Sequence, residues 1–502
     1  MLLAGMCLWA LRAIFLAAGY YFHFWGVRRH HLEAAFFGLV VFGVAFASFD
    51  RKERPPEVTG VGWLSVRTKV FAAAAALVTT AVLYYPALGL GFLSDDYVLW
   101  RRALTHEFIA PTAEFFRPLP LVIWRAAAAL NREPASTLHA VNILLHGLNT
   151  FLVFRLAGAL GFSVWQAAVS AAAFMVWPTN VEAVAWCSGI QDVLMATFVL
   201  SAMTAPLWPY RTPVTAVVFV LLLLAAVATK ETAVISPVLF TVLWLGRTRA
   251  ALFIKLAATV ALVAVVVRLQ LGLPGGYVTP PDRYLLKELA SRLASGLVMP
   301  MRAATIERFP QLAVATVAGV IVISVCAFWK WSDDSAGASR AARGAMWALI
   351  SILPVYRYFF IGPDLEGSRY LYLASFGWAV LLVQLVSAAL AVGTWRRTAA
   401  IVVCGAVIVP ASAYSRRQFE RWKSAGMLRD AVLASARDTA LQSNCPALAL
   451  EGLPDSIDGV YVFRNGFYDA VAIEEQMASV RARIAPTAGC AFVWRNGNFV
   501  AR

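Results

Sequence analysis

Two adjacent aspartates, Asp95 and Asp96, lie where the chain leaves a long apolar stretch, residues 68–90. Carboxylates at the mouth of a membrane span cost free energy unless they are solvated or take part in function. Neighbouring carboxylates raise one another's pKa, which suits one of them to act as a general base. A second interpretation stays open, in which the pair caps a surface helix that begins near Tyr97.

Three basic residues beside apolar stretches could bind a phosphate group: Arg117, Lys230 and Arg369. An Arg guanidinium offers a two-pronged donor to phosphate, and a Lys ammonium offers a point charge. Other interpretations stay open for two of them. Lys230 and Glu231 could simply end a helix at the membrane interface, and Arg369 could anchor a helix beside the membrane.

His139, Asn142 and His146 are spaced at i, i+3 and i+7, so that they share one side of a predicted helix. They could contact a substrate, or the histidines could form hydrogen bonds between helices. Two histidines without a third ligand make a weak metal site, and the sequence contains no CxxC motif or Cys/His cluster. We therefore predict no structural metal site.

The composition indicates that most of the chain lies in lipid. Of its 502 residues, 60% are hydrophobic and 14% are charged, whereas soluble domains carry about 25% charged residues. The formal net charge is +15, but the basic residues concentrate in short loops between apolar stretches. Membrane proteins set their orientation in this way. We therefore discount both a soluble enzyme and a nucleic-acid-binding protein.

Repeated apolar stretches predict an all-α polytopic membrane protein with about 11–13 transmembrane helices. Basic residues such as Arg51, Arg247 and Arg396 mark one alternate set of loops as cytoplasmic. The acidic pair and the other polar candidates then share the extracytoplasmic face, whereas Arg28 and Arg29 break the pattern. The predicted spans are residues 4–24, 33–49, 68–90, 139–160, 163–178, 190–207, 213–229, 232–246, 250–271, 309–329, 344–361, 371–393 and 398–414.

This pattern divides the chain into three parts. Residues 1–67 hold two N-terminal spans and a cytoplasmic loop, and residues 68–415 form a transmembrane core. Within the core, the extracytoplasmic loop 91–138 mixes aromatic and charged residues, which predicts short helices at the membrane surface. Residues 416–502 are predicted to form a small extracytoplasmic α+β domain.

Turn signals organise the C-terminal part. Asn465-Gly466 and Asn496-Gly497 each lie between apolar runs, which predicts two β-hairpins. Residues 472–484 have helical spacing. Cys445 and Cys490 could form a disulfide if this part faces an oxidising compartment, and so small a domain would gain stability from the bond.

Several of these residues fall in motifs that resemble the type-C glycosyltransferases, which are polytopic enzymes that use polyprenyl-phosphate-linked sugars. The sequence most resembles the protein O-mannosyltransferase-like branch, over residues 68–415. Each motif is short, but the motifs occur in the family's order. They are Phe92–Tyr97, Phe116–Leu119, His139–His146, Pro178–Trp186, Gly189–Asp192, Lys230-Glu231 and Ser368–Ser375.

The resemblance implies an enzyme that moves a hexosyl or pentosyl group from a polyprenyl-phosphate donor to an acceptor hydroxyl, with inversion. We assign the general base to Asp95 and an orienting role to Asp96, and we expect Arg369, Lys230 and Arg117 to bind the donor phosphate. No cofactor is required, although a divalent cation could bind the two aspartates. The other residues expected to bind substrate are Tyr97, His139, Asn142, His146, Glu182, Asp192, Glu231 and Tyr370.

The implied partners are the lipid-linked sugar donor, membrane lipids, and an acceptor that could be a protein, a polysaccharide or a glycolipid. The chain departs from the family in three places. Ile190 stands where related sequences have Arg, residues 416–502 replace a tetratricopeptide tail, and two predicted spans precede the matching region. These departures leave the sugar and the acceptor open.

The alternative function is a flippase or transporter for a lipid-linked sugar, with the acidic pair coupling proton movement. Transporters often show matching half-repeats and polar groups near the middle of the membrane. This sequence shows no repeat, and its polar candidates lie at the predicted extracytoplasmic ends of spans. The Ala- and Arg-rich composition, without a retention signal, predicts a multi-pass protein of the bacterial inner membrane whose site faces the periplasm.

Overall fold

A computed structural model describes residues 65–105, 115–130, 134–208, 212–244, 250–271, 336–352, 354, 364–389, 396–475, 477–486 and 489–502. The predicted spans 4–24, 33–49 and 309–329 lie outside the described residues. The described part is mostly helical.

The helices of the described part fall into two groups. Those before residue 272 are α1 (Val66–Tyr84), α2 (Asp95–Leu104), α3 (Pro118–Leu130), α4 (Pro134–Ala159), α5 (Val164–Met175), α6 (Asn180–Ala185), α7 (Ile190–Met203), α8 (Thr212–Thr229), α9 (Ser236–Trp244) and α10 (Ala250–Gln270). The later helices are α11 (Ala336–Ile352), α12 (Ala374–Ala389), α13 (Arg396–Gln442), α14 (Phe467–Glu474) and α15 (Ala478–Arg483).

Within the described residues, four helices are long and apolar enough to cross a membrane: Val66–Gly89, Pro134–Ala159, Thr212–Thr229 and Ala250–Arg268. Val70, Phe71, Val78 and Val82 on α1 are exposed, as expected of a surface in contact with lipid. Several other predicted spans fold as apolar helices of 10–17 residues. The count of 11–13 spans is therefore not reached in this part of the chain. The shorter helices are Pro118–Leu130, Val164–Met175, Cys187–Met203, Glu231–Trp244 and Ala374–Gln384.

Two pairs of helices approach closely because glycine leaves room at their crossing. A Cβ on Gly377 of α12 would lie 2.4 Å from the carbonyl oxygen of Gly344 on α11. A Cβ on Gly147 of α4 would lie 2.9 Å from a methyl group of Leu77 on α1. Helices that pack in lipid rely on such small residues.

The loop predicted to lie on the extracytoplasmic face contains two short helices, α2 and α3, as the sequence suggests. Phe92 packs against Tyr97, Trp100 and Trp124, with ring centroids 5.5–5.8 Å apart. These aromatic contacts join the start of α2 to α3. Helix α3 also packs against α4.

Helix α13 connects the core to the C-terminal part. It runs unbroken across residue 415, where the sequence predicts the core to end. The hydroxyl of Ser415 donates to the carbonyl of Val176 in the core at 3.1 Å. Further along, the guanidinium of Arg429 donates to the carbonyl of Phe92 at 2.8 Å. One continuous helix thus holds the C-terminal part against the start of α2.

The C-terminal part contains five short strands: β1 (Leu448–Glu451), β2 (Ser456–Ile457), β3 (Val460–Tyr461), β4 (Cys490–Arg495) and β5 (Asn498–Ala501). Strands β4 and β5 are antiparallel and turn at Asn496-Gly497, both with positive φ, so this predicted hairpin is confirmed. Strand β1 pairs in parallel with β4. A disulfide joins Cys445 to Cys490, the first residue of β4, which is the central strand of this sheet.

The hairpin predicted at Asn465-Gly466 is wrong. Strand β3 instead pairs in antiparallel fashion with β2, the strand that precedes it. Gly466, at φ 78°, begins helix α14 rather than a second strand. The predicted helix 472–484 is also divided between α14 and α15. An Asn-Gly pair supplies a left-handed turn, which suits a helix start as well as a hairpin.

Candidate active site

The two aspartates begin helix α2, and their carboxylates have different surroundings. Asp96 is fully buried. It accepts hydrogen bonds from the backbone N–H of Ser188 at 2.8 Å and of Leu93 at 3.0 Å, and another from the Ser188 hydroxyl. Burial outweighs these bonds and raises the pKa of Asp96 to about 7. Asp96 therefore ties the start of α2 to the turn Cys187–Gly189.

Asp95 instead lines a cavity. Its Oδ1 accepts a hydrogen bond from the Asn465 amide at 2.6 Å. Among the described residues, no cationic side chain forms an ion pair with Asp95. Its second carboxylate oxygen is thus available to a substrate, as a general base requires.

Ser94, the residue before the pair, has a strained backbone. Its φ is 50° and its ψ is −116°, a backbone conformation that residues other than glycine rarely adopt. Such conformations cost about 1–3 kcal/mol and persist only where the surroundings hold them. Here the Ser94 N–H donates to the carbonyl of Val462 at 2.9 Å, and the Asn465 N–H donates to the Ser94 hydroxyl at 3.3 Å. Both partners come from the C-terminal part.

The cavity has a volume of about 720 Å³ and lies between the core and the C-terminal part. This volume is in the usual range for a small-molecule site. Its lining combines five cationic side chains with three carboxylates. The charged lining residues are Asp95, Arg102, Arg117, Asp192, Lys230, Glu366, Arg369 and Arg464.

Lys230 follows helix α8 and lies almost wholly inside the protein. Its Nζ is 2.5 Å from Asp192 Oδ1, and the two side chains are 2% and 6% exposed. The ammonium also lies 4.6 Å from the centroid of the Tyr370 ring, which attracts a cation. A lysine so deeply buried needs such partners to stay charged.

Arg369 is held on several sides. Its guanidinium forms an ion pair with Glu182, whose other oxygen accepts from the Arg369 N–H at 3.0 Å and from the Ser368 hydroxyl at 3.1 Å. The guanidinium carbon lies 4.6 Å from the Trp186 ring and 4.4 Å from the Tyr370 ring. These contacts fix the direction of the Arg369 fork.

Arg117 is far from Arg369 in sequence, yet both side chains line the same cavity. It forms an ion pair with Glu231 and a hydrogen bond with Gln191. Glu231 also accepts from Arg268 at 3.2 Å. The structure thus brings together Arg117, Lys230 and Arg369, the three residues that the sequence predicts to bind phosphate.

Asp192 and Tyr370, both predicted to bind substrate, also line the cavity. Glu182 and Glu231 are not among its lining residues; instead each carboxylate holds an arginine that is. This arrangement explains why acidic residues accompany the cations in the sequence. They neutralise and orient charges that would otherwise be buried alone.

Tyr97, His139, Asn142 and His146 do not line the cavity; they are buried in the helical core. His146 Nδ1 is 2.7 Å from the Tyr372 hydroxyl, and His139 Nε2 is 3.1 Å from the carbonyl of Leu90. These places favour the open interpretation of the histidines as hydrogen-bond partners between segments.

The Asn142 amide likewise donates to the carbonyl of Trp186, at 2.8 Å. Trp186 in turn places its indole ring over Arg369. Asn142 therefore acts on the cavity through Trp186 rather than by lining it.

Sequence reasoning missed the contribution of the C-terminal part. Tyr461, Arg464, Asn465 and Gly466 line the cavity, and Arg464 forms ion pairs with Glu366 at 2.8 Å and Asp455 at 2.5 Å. The sequence Arg464-Asn465-Gly466 is a recognisable turn signal, but it predicts a hairpin and not a contribution to the site. Arg102 of α2, also missed, lines the cavity without an ion pair among the described residues.

The described residues hold no group of three or more His, Cys, Asp or Glu side chains able to bind a metal ion. Both oxygens of Asp96 already accept hydrogen bonds from Ser188 and Leu93. Of the acidic pair, Asp95 alone is thus placed to meet a cation in the cavity.

No protein-family model matches this chain. Among curated proteins, it is 32% identical over 131 residues to the protein O-mannosyl-transferase Tmtc2 of Drosophila melanogaster. That match covers 22% of this chain and 14% of the fly protein. The chain therefore matches a small part of a much longer relative. The match agrees with the branch that the sequence motifs resemble.

Two solved structures similar to this chain are, by name, an arabinofuranosyltransferase and an oligosaccharyltransferase. The mycobacterial arabinofuranosyltransferase AftD has a TM-score of 0.46 at 15% identity, over 87% of this chain and 32% of that chain. The oligosaccharyltransferase of Archaeoglobus fulgidus has a TM-score of 0.46 at 12% identity, over 85% of this chain and 64% of that chain.

Proposed function

We propose that this chain is a membrane glycosyltransferase that moves a sugar from a polyprenyl-phosphate donor to an acceptor hydroxyl. One observation carries the proposal: a single cavity is lined by Asp95 together with Arg117, Lys230 and Arg369. A displacement at a sugar phosphate needs a base for the acceptor and positive charge for the leaving group. The similarity to Tmtc2, a protein O-mannosyl-transferase by name, supports the same class of reaction.

In the proposed reaction, the acceptor oxygen forms a bond to the anomeric carbon while the bond from that carbon to the phosphate oxygen breaks. The phosphate keeps the electron pair and leaves as polyprenyl phosphate. The carboxylate of Asp95 takes the proton from the acceptor hydroxyl. A single displacement of this kind inverts the anomeric configuration.

The three cations stabilise the leaving phosphate as its charge develops. Each already has a carboxylate partner: Glu231 for Arg117, Asp192 for Lys230 and Glu182 for Arg369. Groups held in this way need little reorganisation during the reaction, which is the main source of electrostatic catalysis. Because side chains supply the positive charge, the proposed reaction requires no metal or other cofactor.

The lipid part of the donor has an apolar surface available. Val98 and Leu99 of α2 and Leu121 of α3 line the cavity. A polyprenyl chain entering from the membrane would contact these side chains, while its phosphate meets the cations. This division of polar and apolar lining is what a lipid-linked substrate needs.

The disulfide supports an extracytoplasmic site. Cys445 and Cys490 are bonded in the same C-terminal part that supplies Asn465 to the cavity. Disulfides persist in oxidising compartments such as the bacterial periplasm. We therefore place the proposed site on the periplasmic side of the bacterial inner membrane, with a protein, polysaccharide or glycolipid as acceptor.

The test uses purified full-length protein in liposomes with a radiolabelled polyprenyl-phosphate sugar. We expect the native protein to consume the donor and Asp95→Asn to lose transfer while it stays folded. Asp438→Asn, at an exposed position on α13, is the matched control and should keep full activity.

Two results would contradict the proposal. Full transfer by Asp95→Asn would remove the general base from its assigned position. Movement of the intact donor across the liposome membrane, without consumption, would favour a flippase or transporter instead.

A further inference from the structure

The C-terminal part forms one wall of the cavity through the segment Tyr461–Gly466. Tyr461, Arg464, Asn465 and Gly466 all line it. This segment lies outside residues 68–415, to which the family resemblance extends. The resemblance therefore assigns it no role.

Three hydrogen bonds join this segment to the start of α2. The Asn465 side-chain amide donates to Asp95 Oδ1 at 2.6 Å, and the Asn465 backbone N–H donates to the Ser94 hydroxyl at 3.3 Å. The Ser94 N–H donates to the carbonyl of Val462 at 2.9 Å. The strained Ser94 and the proposed base Asp95 are thus both held from the same side.

The fit is close enough to require glycine. A Cβ on Gly466 would lie 2.6 Å from the carbonyl oxygen of Ser94, and Gly466 has a φ of +78°. Next to this contact, Arg101 of α2 and Asp469 of α14 form an ion pair at 2.5 Å. The segment and the helix that follows it, α14, therefore pack against α2 at several points.

We propose that Asn465 is a positioning residue for Asp95. By donating to Oδ1 it holds the carboxylate in one orientation, so that Oδ2 points to the acceptor hydroxyl. The inference rests on the proposed function, because it needs Asp95 as the base. It makes the C-terminal part a component of the active site rather than an appended domain.

The size of the effect follows from geometry. A displacement of a reacting group by about 1 Å can lower a rate by about 100-fold. We expect Asn465→Ala to lower kcat for transfer by about 10- to 100-fold. The KM for the donor should stay unchanged, since Arg117, Lys230 and Arg369 keep their carboxylate partners. Asn465→Gln, which retains the amide donor, should recover part of the loss.

A pH profile separates positioning from simple loss of structure. In Asn465→Asp, the introduced carboxylate faces Oδ1 of Asp95. The two carboxylates then hold one proton between them. The base form then appears only at higher pH, so the acidic limb of the pH–rate profile should shift upward by one unit or more. A variant that is merely less folded would lose activity equally across the pH range.

The matched control is Asn498→Ala, at an exposed position in β5 of the same C-terminal part. It should keep native kcat and the native pH profile. All variants are compared as full-length protein in liposomes, with their unfolding temperatures measured in parallel.

The outcomes distinguish this inference from the proposed function. If the native protein transfers sugar and Asp95→Asn does not, native kcat in Asn465→Ala overturns the inference alone. An unshifted pH profile in Asn465→Asp overturns it as well. If the native protein transfers no sugar, the proposed function fails first.

Discussion

Lys230 and Asp192 form an ion pair that is almost fully buried, with 2.5 Å between Nζ and Oδ1. They are 38 residues apart in sequence and meet only because α7 and α8 pack side by side. The pair lines the cavity next to Tyr370. The ion pair holds the Lys230 ammonium at the place where the donor phosphate is proposed to bind.

The first prediction separates the stability of this pair from its role in transfer. Asp192→Asn leaves a buried cation without its partner and should lower the free energy of unfolding by about 3 kcal/mol. The double change Asp192→Leu and Lys230→Met removes both charges and should restore most of that stability, yet transfer should stay absent. Chemical unfolding in detergent and the donor-consumption assay measure the two effects. Native transfer by the double variant would remove Lys230 from the phosphate site.

A second prediction concerns the shape of the Arg369 side chain. A guanidinium can keep Glu182 and still offer donors to a phosphate, whereas a lysine ammonium is a single point charge. Arg369→Lys should therefore raise the donor KM by about 10-fold, which corresponds to about 1.4 kcal/mol of binding. Arg417→Lys, at an exposed position on α13, is the control. Equal KM values in the two variants would show that Arg369 does not contact the donor.

The third prediction is a pH dependence of stability from Asp96. Burial raises its pKa from 3.8 to about 7 in the folded protein. Between these values the folded state binds a proton that the unfolded state does not, so this contribution to stability falls as pH rises from about 4 to about 7. The change is up to about 4 kcal/mol, at 1.36 kcal/mol per pKa unit.

Asp96→Asn tests this pH dependence because the amide does not titrate. Unfolding is followed in detergent at several pH values for the native protein and the variant. The stability of the native protein relative to the variant should decline from pH 4 to pH 7. A constant difference would show that Asp96 has an ordinary pKa.

The fourth prediction links the disulfide to transfer. The Cys445–Cys490 bond closes a sequence separation of 45 residues, and a loop of this length is worth about 4 kcal/mol in the chain-entropy model. Replacing both cysteines by serine should lower stability by about that amount. It should also lower transfer, since the same part supplies Asn465. Reduction of the native protein should have the same effect, whereas unchanged transfer in both would show that the cavity wall stays in place without the bond.

Local patterns were enough to predict much of the core. Apolar stretches indicate where the helices lie. Arg117, Lys230 and Arg369 do line one cavity, and their role as phosphate ligands stays a prediction. The lengths of the helices were harder to predict. The turn Glu231–Ile235 occupies the start of the predicted span 232–246 without a strong breaker residue, so hydropathy alone overstates the length of that span.

The different surroundings of Asp95 and Asp96 lay beyond the sequence. Adjacent residues on a helix start differ in direction by about 100°, and which one meets the cavity depends on what packs around the turn. Here Ser188 donates a hydrogen bond to Asp96, whereas Asn465 donates one to Asp95. The histidine positions were equally ambiguous, because the spacing that faces a substrate also faces a neighbouring helix.

The sequence by itself determined that this is a helical, apolar chain with an acidic pair and three cations near the ends of its helices, since composition and periodicity are local properties. Only the tertiary structure decided which of these groups share a cavity. Asp95 and Asn465 are 370 residues apart, and their contact depends on how α13 carries the C-terminal part back onto α2. Such a contact leaves no local pattern in the sequence. Asn465 suits a turn and Asp95 suits a helix start, whether or not the two side chains meet.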